Sequence, residues 1–84
     1  MTELDRLTRD LHTRIAKAIR QERVKRNLSM LAVAEQAGLS QQMVSYVERG
    51  IRKPSLDTFV RLAHVLRLDL SQLFESDGKR RNKA

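Results

Sequence analysis

The stretch that decides the fold is residues 28–50, LSMLAVAEQAGLSQQMVSYVERG. Its apolar spacing predicts two short helices, over residues 30–37 and 41–49, each preceded by a serine suited to cap a helix N-terminus. Gly38 stands between them, where a left-handed residue would end the first helix. Two short helices joined by a short glycine-containing turn form a helix-turn-helix, which is the arrangement we expect here.

The rest of the chain also has helical periodicity. Apolar residues recur every three or four positions from about Glu3 to Arg26, from Leu56 to Leu66, and in a short last segment after Asp69. No segment alternates with the period of two that is typical of a half-buried strand. We therefore predict an all-α fold of five helices in which the first helix is extended.

The second helix of the central pair has a polar face without carboxylates. Val44 and Val47 are three residues apart and should face inward. The opposite face then carries amide, hydroxyl and guanidinium groups, which suit hydrogen bonding in a DNA major groove. The candidate base contacts are Gln41, Gln42, Ser45 and Tyr46.

Residues 15–74 resemble the Cro/phage-repressor family of helix-turn-helix domains, also called the xenobiotic response element family. The most specific feature is the run Val47-Glu48-Arg49-Gly50, followed by Pro54, at a fixed distance after Gly38-Leu39-Ser40. The other matching positions are Arg23, Val33-Ala34, Ala37, Val44, Arg52, Ser55, Leu56, Leu62-Ala63, Leu66 and Leu73-Phe74.

This resemblance implies a lambda-repressor-like domain that binds double-stranded DNA as a homodimer on a palindromic operator. Residues 41–49 would be the recognition helix in the major groove. The expected function is that of a transcriptional regulator, of the repressor kind. Phosphate contacts are implied near the start of the second helix and around the end of the third, at Ser29, Arg49, Arg52 and Lys53.

Two further features concern how the recognition helix is held. Family members often pair an arginine of the first helix with a glutamate of the third, which here implies a structural ion pair between Arg23 and Glu48. The family commonly has glutamine at the start of the second helix, where this chain has Met30. Leu28, Met30 and Leu31 are therefore expected either to pack along the turn or to present apolar surface to thymine methyl groups or a protein partner.

The chain divides into three parts by its pattern. Residues 1–14 form an N-terminal extension of the first helix, residues 15–76 the helix-turn-helix domain, and residues 77–84 a basic tail predicted to be disordered. Apolar side chains of the N-terminal extension and of the last part of the domain either pack on the bundle or form a dimer or partner surface. They are Leu4, Leu7, Leu11, Leu66, Leu70 and Phe74.

The composition limits the alternatives. A chain of 84 residues allows one domain, and its net charge of +7 favours a polyanionic partner. It has no cysteine, and His12 and His64 lack metal-ligand spacing, so neither a metal nor another cofactor is expected. No catalytic motif is recognisable, and we predict that the chain is not an enzyme. Because no membrane span or signal peptide is visible, we expect a cytoplasmic protein. We expect no small-molecule ligand, because the residues outside the helix-turn-helix domain cannot form a sensing domain.

A second class of function stays open at this point. A helix-turn-helix domain can also act as a protein-interaction module, since fold does not fix function. The apolar N-terminal face would then hold a toxin or another protein partner. A stand-alone repressor, a restriction–modification controller and an antitoxin that represses its own operon are the three settings that fit a chain of this size.

Overall fold

The computed structural model describes residues 2–73, and this part of the chain contains five helices and no strand. The helices are α1 (Glu3–Lys25), α2 (Met30–Ala37), α3 (Gln41–Glu48), α4 (Leu56–Leu66) and α5 (Leu70–Leu73). The all-α prediction with an extended first helix is thereby confirmed. The predictions made for Phe74 and for the basic tail lie outside the described residues.

Serine caps set the start of the three central helices. The hydroxyl oxygens of Ser29, Ser40 and Ser55 accept hydrogen bonds at 3.0–3.1 Å from the backbone N–H three residues further on. Each such cap contributes about 1 kcal/mol to helix stability. Gly38 ends α2 in the left-handed region with φ of 71°, so the chain turns sharply and α3 begins only three residues later.

The core is formed by apolar side chains from all five helices. α2 packs against α3 and α4, while α1 packs against α3, α4 and α5. The largest side chains that are fully enclosed are Ile19, Val33, Val44, Val47, Leu62 and Leu66. The inward orientation predicted for the two valines of α3 is therefore confirmed.

Leu66 was expected among the residues that either pack on the bundle or form a dimer surface. Its exposed fraction is 0% because α4 turns this side chain toward α1 and α2. The prediction of a dimer or partner contact at Leu66 is wrong, since a side chain without exposed area cannot reach a second protein. The apolar surface of α4 lies instead at Leu56 and Val60, which are 77% and 52% exposed.

The first part of α1 extends beyond the core. Its start is a capping box, in which Asp5 N donates to Thr2 Oγ1 at 3.0 Å and Thr2 N donates to the Asp5 carboxylate at 3.2 Å. Burial begins only at the third turn, because residues 2–10 are all exposed and Ile15 is the first fully buried side chain. The N-terminal extension is thus a continuation of α1 and not a separate element.

Candidate nucleic-acid interface

The predicted recognition helix presents its polar side chains outward. Val44 and Val47 hold α3 to the core, and this fixes the opposite face toward solvent. Gln41 and Gln42 are exposed in the first turn, where side chains of a recognition helix reach base edges. Ser45 and Tyr46 lie one turn later and are half-buried.

A chain of contacts links three polar residues of this face. Gln42 Nε2 donates a hydrogen bond of 2.6 Å to Tyr46 Oη. The guanidinium of Arg52 lies over the Tyr46 ring, 5.6 Å from its centroid, as in a cation–π contact. Because one amide proton of Gln42 is engaged, its carbonyl oxygen and second amide proton are left to pair with a base edge.

Arg49 and the loop after α3 bring positive charge to the end of this face. Arg49 is exposed at the C-cap of α3, and its Nη1 donates to Ser45 Oγ at 3.3 Å. The chain then turns at Gly50, where φ is 72°. The loop is held to α3 because the N–H groups of Ile51 and Arg52 both donate to Tyr46 O, at 2.9 and 3.3 Å.

The remaining predicted phosphate contacts are also accessible. Lys53 follows Arg52 in the loop and is exposed. Ser29 is exposed at the start of α2, where its oxygen caps Ala32 N. Its hydroxyl proton can still be donated to a phosphate oxygen. Both ends of the helix-turn-helix therefore carry groups that can bind a DNA backbone.

Arg23 and Glu48 form the ion pair that the family resemblance implied. Arg23 Nε and Nη2 donate to the two carboxylate oxygens at 2.6 and 3.0 Å, and its Nη1 donates to Leu28 O at 3.0 Å. The Glu48 side chain is only 1% exposed. The hydrogen bond to Glu48 raises the pKa of Arg23 despite the opposing effect of burial. Arg23 therefore ties α1, the start of α2 and the end of α3 together.

Arg61 is a structural residue of the site that the sequence analysis missed. Its Nη1 donates to Ala37 O at 3.1 Å, and its Nε donates to the Asp57 carboxylate at 2.9 Å. A Cβ at position 38 would lie 2.9 Å from Arg61 Nη1. Arg61 therefore closes over the turn and fixes the angle between α2 and α3 from α4. The i,i+4 spacing of Asp57 and Arg61 was visible in the sequence, but the contact with Ala37 was not.

The residues proposed as partner surface fall into three groups. Leu4 and Leu7 are 70% and 53% exposed on the extension, and Leu70 is exposed on α5. Leu11 is half-buried and packs against the edge of the core. Leu66 is internal, as described above.

The described residues contain no group of three potential metal ligands, and none of their helices is long and apolar enough to cross a membrane.

Comparison with known proteins agrees with this architecture. A family model described as helix-turn-helix matches residues 19–73. Two curated proteins from two strains of Mycobacterium tuberculosis, each named as an uncharacterized HTH-type transcriptional regulator, are 40% identical over 60 residues. The match covers 71% of this chain and 43% of theirs, so the chain spans less than half the length of these relatives.

A solved structure has the same fold. It is that of a point mutant of the restriction–modification controller protein C.Esp1396I, which superposes with a TM-score of 0.68 and covers 76% of this chain and 83% of its own. Its sequence identity is 17%, so the likeness concerns the fold alone.

The fold and its acid-free recognition face define a DNA-binding helix-turn-helix domain. The chain belongs to the helix-turn-helix family of the Cro/repressor type. This is a family of transcription regulators and is not enzymatic, in agreement with the prediction from sequence.

Proposed function

We propose that this chain is a sequence-specific regulator that binds double-stranded DNA as a homodimer and represses transcription from a palindromic operator. The observation that carries the proposal is the face of α3, where Gln41 and Gln42 are exposed without a neighbouring carboxylate on that face. Amides pair bidentately with adenine in the major groove, and arginines pair with guanine or phosphate. Repression would follow because an occupied operator blocks polymerase.

In this proposal, different residues contact the bases and the DNA backbone. Gln41, Gln42, Ser45 and Tyr46 supply hydrogen bonds to base edges from α3. Phosphate contacts come from both sides of the helix, which fixes its depth and register in the groove. They are Ser29, Arg49, Arg52 and Lys53.

The length of α3 favours a dimer. Eight helical residues at ~1.5 Å each span about 12 Å, which is less than half a turn of B-DNA. Two copies related by a twofold axis would read two half-sites about 34 Å apart and so double the length of sequence recognised. We assign the dimer contact to Leu56 and Val60, called here the α4 patch, because these exposed apolar side chains lie one turn apart on a helix of the packed domain. Leu4 and Leu7, by contrast, lie on the extension beyond the core.

Selection of bound duplexes from a random pool at ~150 mM salt tests the function as a whole. We expect enrichment of an inverted repeat with half-sites about one helical turn apart. Enrichment of a single, non-repeated site would contradict the dimer. Binding without any enrichment would contradict sequence-specific regulation.

Leu4 and Leu7 favour one alternative. They are large apolar side chains on an exposed helix face, and such a face suits a protein partner, for example the toxin of an antitoxin pair. A Leu4→Glu/Leu7→Glu variant separates the two functions. In our account it dimerises normally, whereas loss of dimerisation would move the dimer contact to the extension.

A further inference from the structure

A cleft between α1 and the loop after α3 brings basic groups together from two elements. It is lined by His12 and Ala16 of α1 and by Gly50, Arg52 and Lys53 of the loop. Its volume is about 100 Å³. The described residues that line it include no carboxylate. Three residues of its lining, His12, Arg52 and Lys53, carry basic groups, and the remaining lining residues are uncharged and mostly apolar.

One nitrogen of the His12 ring has a fixed role. His12 Nδ1 lies 2.9 Å from Thr8 O, and the ring is half-buried. A backbone carbonyl only accepts hydrogen bonds, so Nδ1 carries a proton in either charge state. Nε2 is therefore the nitrogen that changes. It accepts when the ring is neutral, and it donates with a positive charge when the ring is protonated.

We propose that this cleft holds a phosphate of the DNA backbone and that protonated His12 donates to it beside Arg52 and Lys53. The proposal rests on the proposed function and extends the DNA contact from the helix-turn-helix into the N-terminal extension of α1. A phosphodiester suits the cleft because His12, Arg52 and Lys53 all line it, and each of these side chains can donate a charge-assisted hydrogen bond. It also accounts for an α1 that continues past the core on the side of the phosphate-binding loop.

The charges around His12 set the sign of the pH dependence. Arg52 and Lys53 line the same cleft from the loop, while Arg9 and Asp5 lie one and two turns earlier on α1. A bound phosphate favours the protonated imidazole, because its negative charge attracts the positive ring. Binding is then coupled to proton uptake, since imidazoles gain a proton as the pH falls through about 6.5. DNA affinity should rise as the pH falls from 8.0 to 5.5.

The test uses the full chain and measures duplex binding by fluorescence anisotropy at pH 8.0 and 5.5. The duplex is the selected operator or, if none is enriched, a random sequence. We expect the affinity of the wild type to rise roughly three- to tenfold per subunit at pH 5.5. Its salt slope should also steepen by ~0.9 because one more phosphate is neutralised.

Three variants assign this gain to one residue. His12→Gln should lose the gain. His64→Gln should keep it, because His64 is exposed on α4 beside Gln36 and Arg67 and does not line the cleft. The chain has two histidines, so each serves as the control for the other. His12→Lys should bind at pH 8.0 about as tightly as the wild type does at pH 5.5, and its affinity should respond little to pH. Because this variant is expected to gain affinity, it tests the site even where His12→Gln does not fold.

The outcomes separate the two proposals. If the wild type binds no duplex at either pH, the proposed function fails and this inference fails with it. If the wild type binds but His12→Gln retains the full pH response, or His12→Lys shows no gain at pH 8.0, the phosphate site at His12 is overturned while DNA binding stands.

Discussion

Arg23 and Glu48 form a buried ion pair that ties α3 to α1. Arg23→Ala would leave the Glu48 carboxylate, 1% exposed, without its partner. We expect a loss of about 3 kcal/mol or more in the free energy of unfolding, measured by urea denaturation, because an uncompensated buried charge is expensive. Arg26→Ala removes an exposed pair with Glu22 and should cost less than about 0.5 kcal/mol. Equal losses for the two variants would contradict the account.

The two left-handed glycines differ in their surroundings. Gly38 and Gly50 have φ of 71° and 72°, so alanine is strained by about 1–2 kcal/mol at either position. A Cβ at position 38 also meets Arg61, whereas one at position 50 meets nothing within 4 Å. Thermal unfolding should therefore show Gly38→Ala to be the more destabilised variant. A larger loss for Gly50→Ala would mean that Arg61 yields freely or does not brace the turn.

Among the elements, the loop after α3 should contribute equally to the affinity for every DNA sequence. Lys53→Ala removes one proposed phosphate contact, and a phosphate contact carries no base information. We expect weaker binding to operator and random duplexes by the same factor, with a salt slope lower by ~0.9, in anisotropy titrations at several salt concentrations. Lys25→Ala, at an exposed position at the end of α1, serves as the charge-matched control. A loss confined to the operator would make Lys53 a base contact.

The helices themselves could be predicted because their signals are local. Ser29 and Ser40 each cap an N–H three residues away, and the glycine turn lies between them in the chain. The contact of Arg61 with Ala37 joins residues 24 positions apart, so it depends on how α4 packs, and the sequence alone did not reveal it. The sequence also left open whether Leu66 is core or dimer surface, since the apolar face of α4 is wide and only packing decides which part is covered.

The whole molecule is expected to bind DNA as a homodimer. Replacing the α4 patch by Leu56→Glu/Val60→Glu puts like charges into the assigned contact, and both side chains are exposed, so the fold should survive. Sedimentation velocity should show a monomer for this variant. At low protein concentration, the fraction of operator that it binds should be much smaller than for the wild type. The Leu4→Glu/Leu7→Glu variant is the matched control and should remain a dimer. The reverse result would place the dimer contact on the extension.

Above all, we propose that α3 contacts base edges. The sharpest test compares the affinity of the Gln42→Ala variant for the selected operator with the affinity of the same variant for a random duplex. We expect the variant to lose about 1–3 kcal/mol of binding free energy on the operator, or roughly 5- to 150-fold in affinity, with little change on random DNA. Gln36→Ala, an exposed amide on α2, should change neither affinity. An equal loss on both duplexes would contradict base reading by Gln42 and leave it a backbone contact.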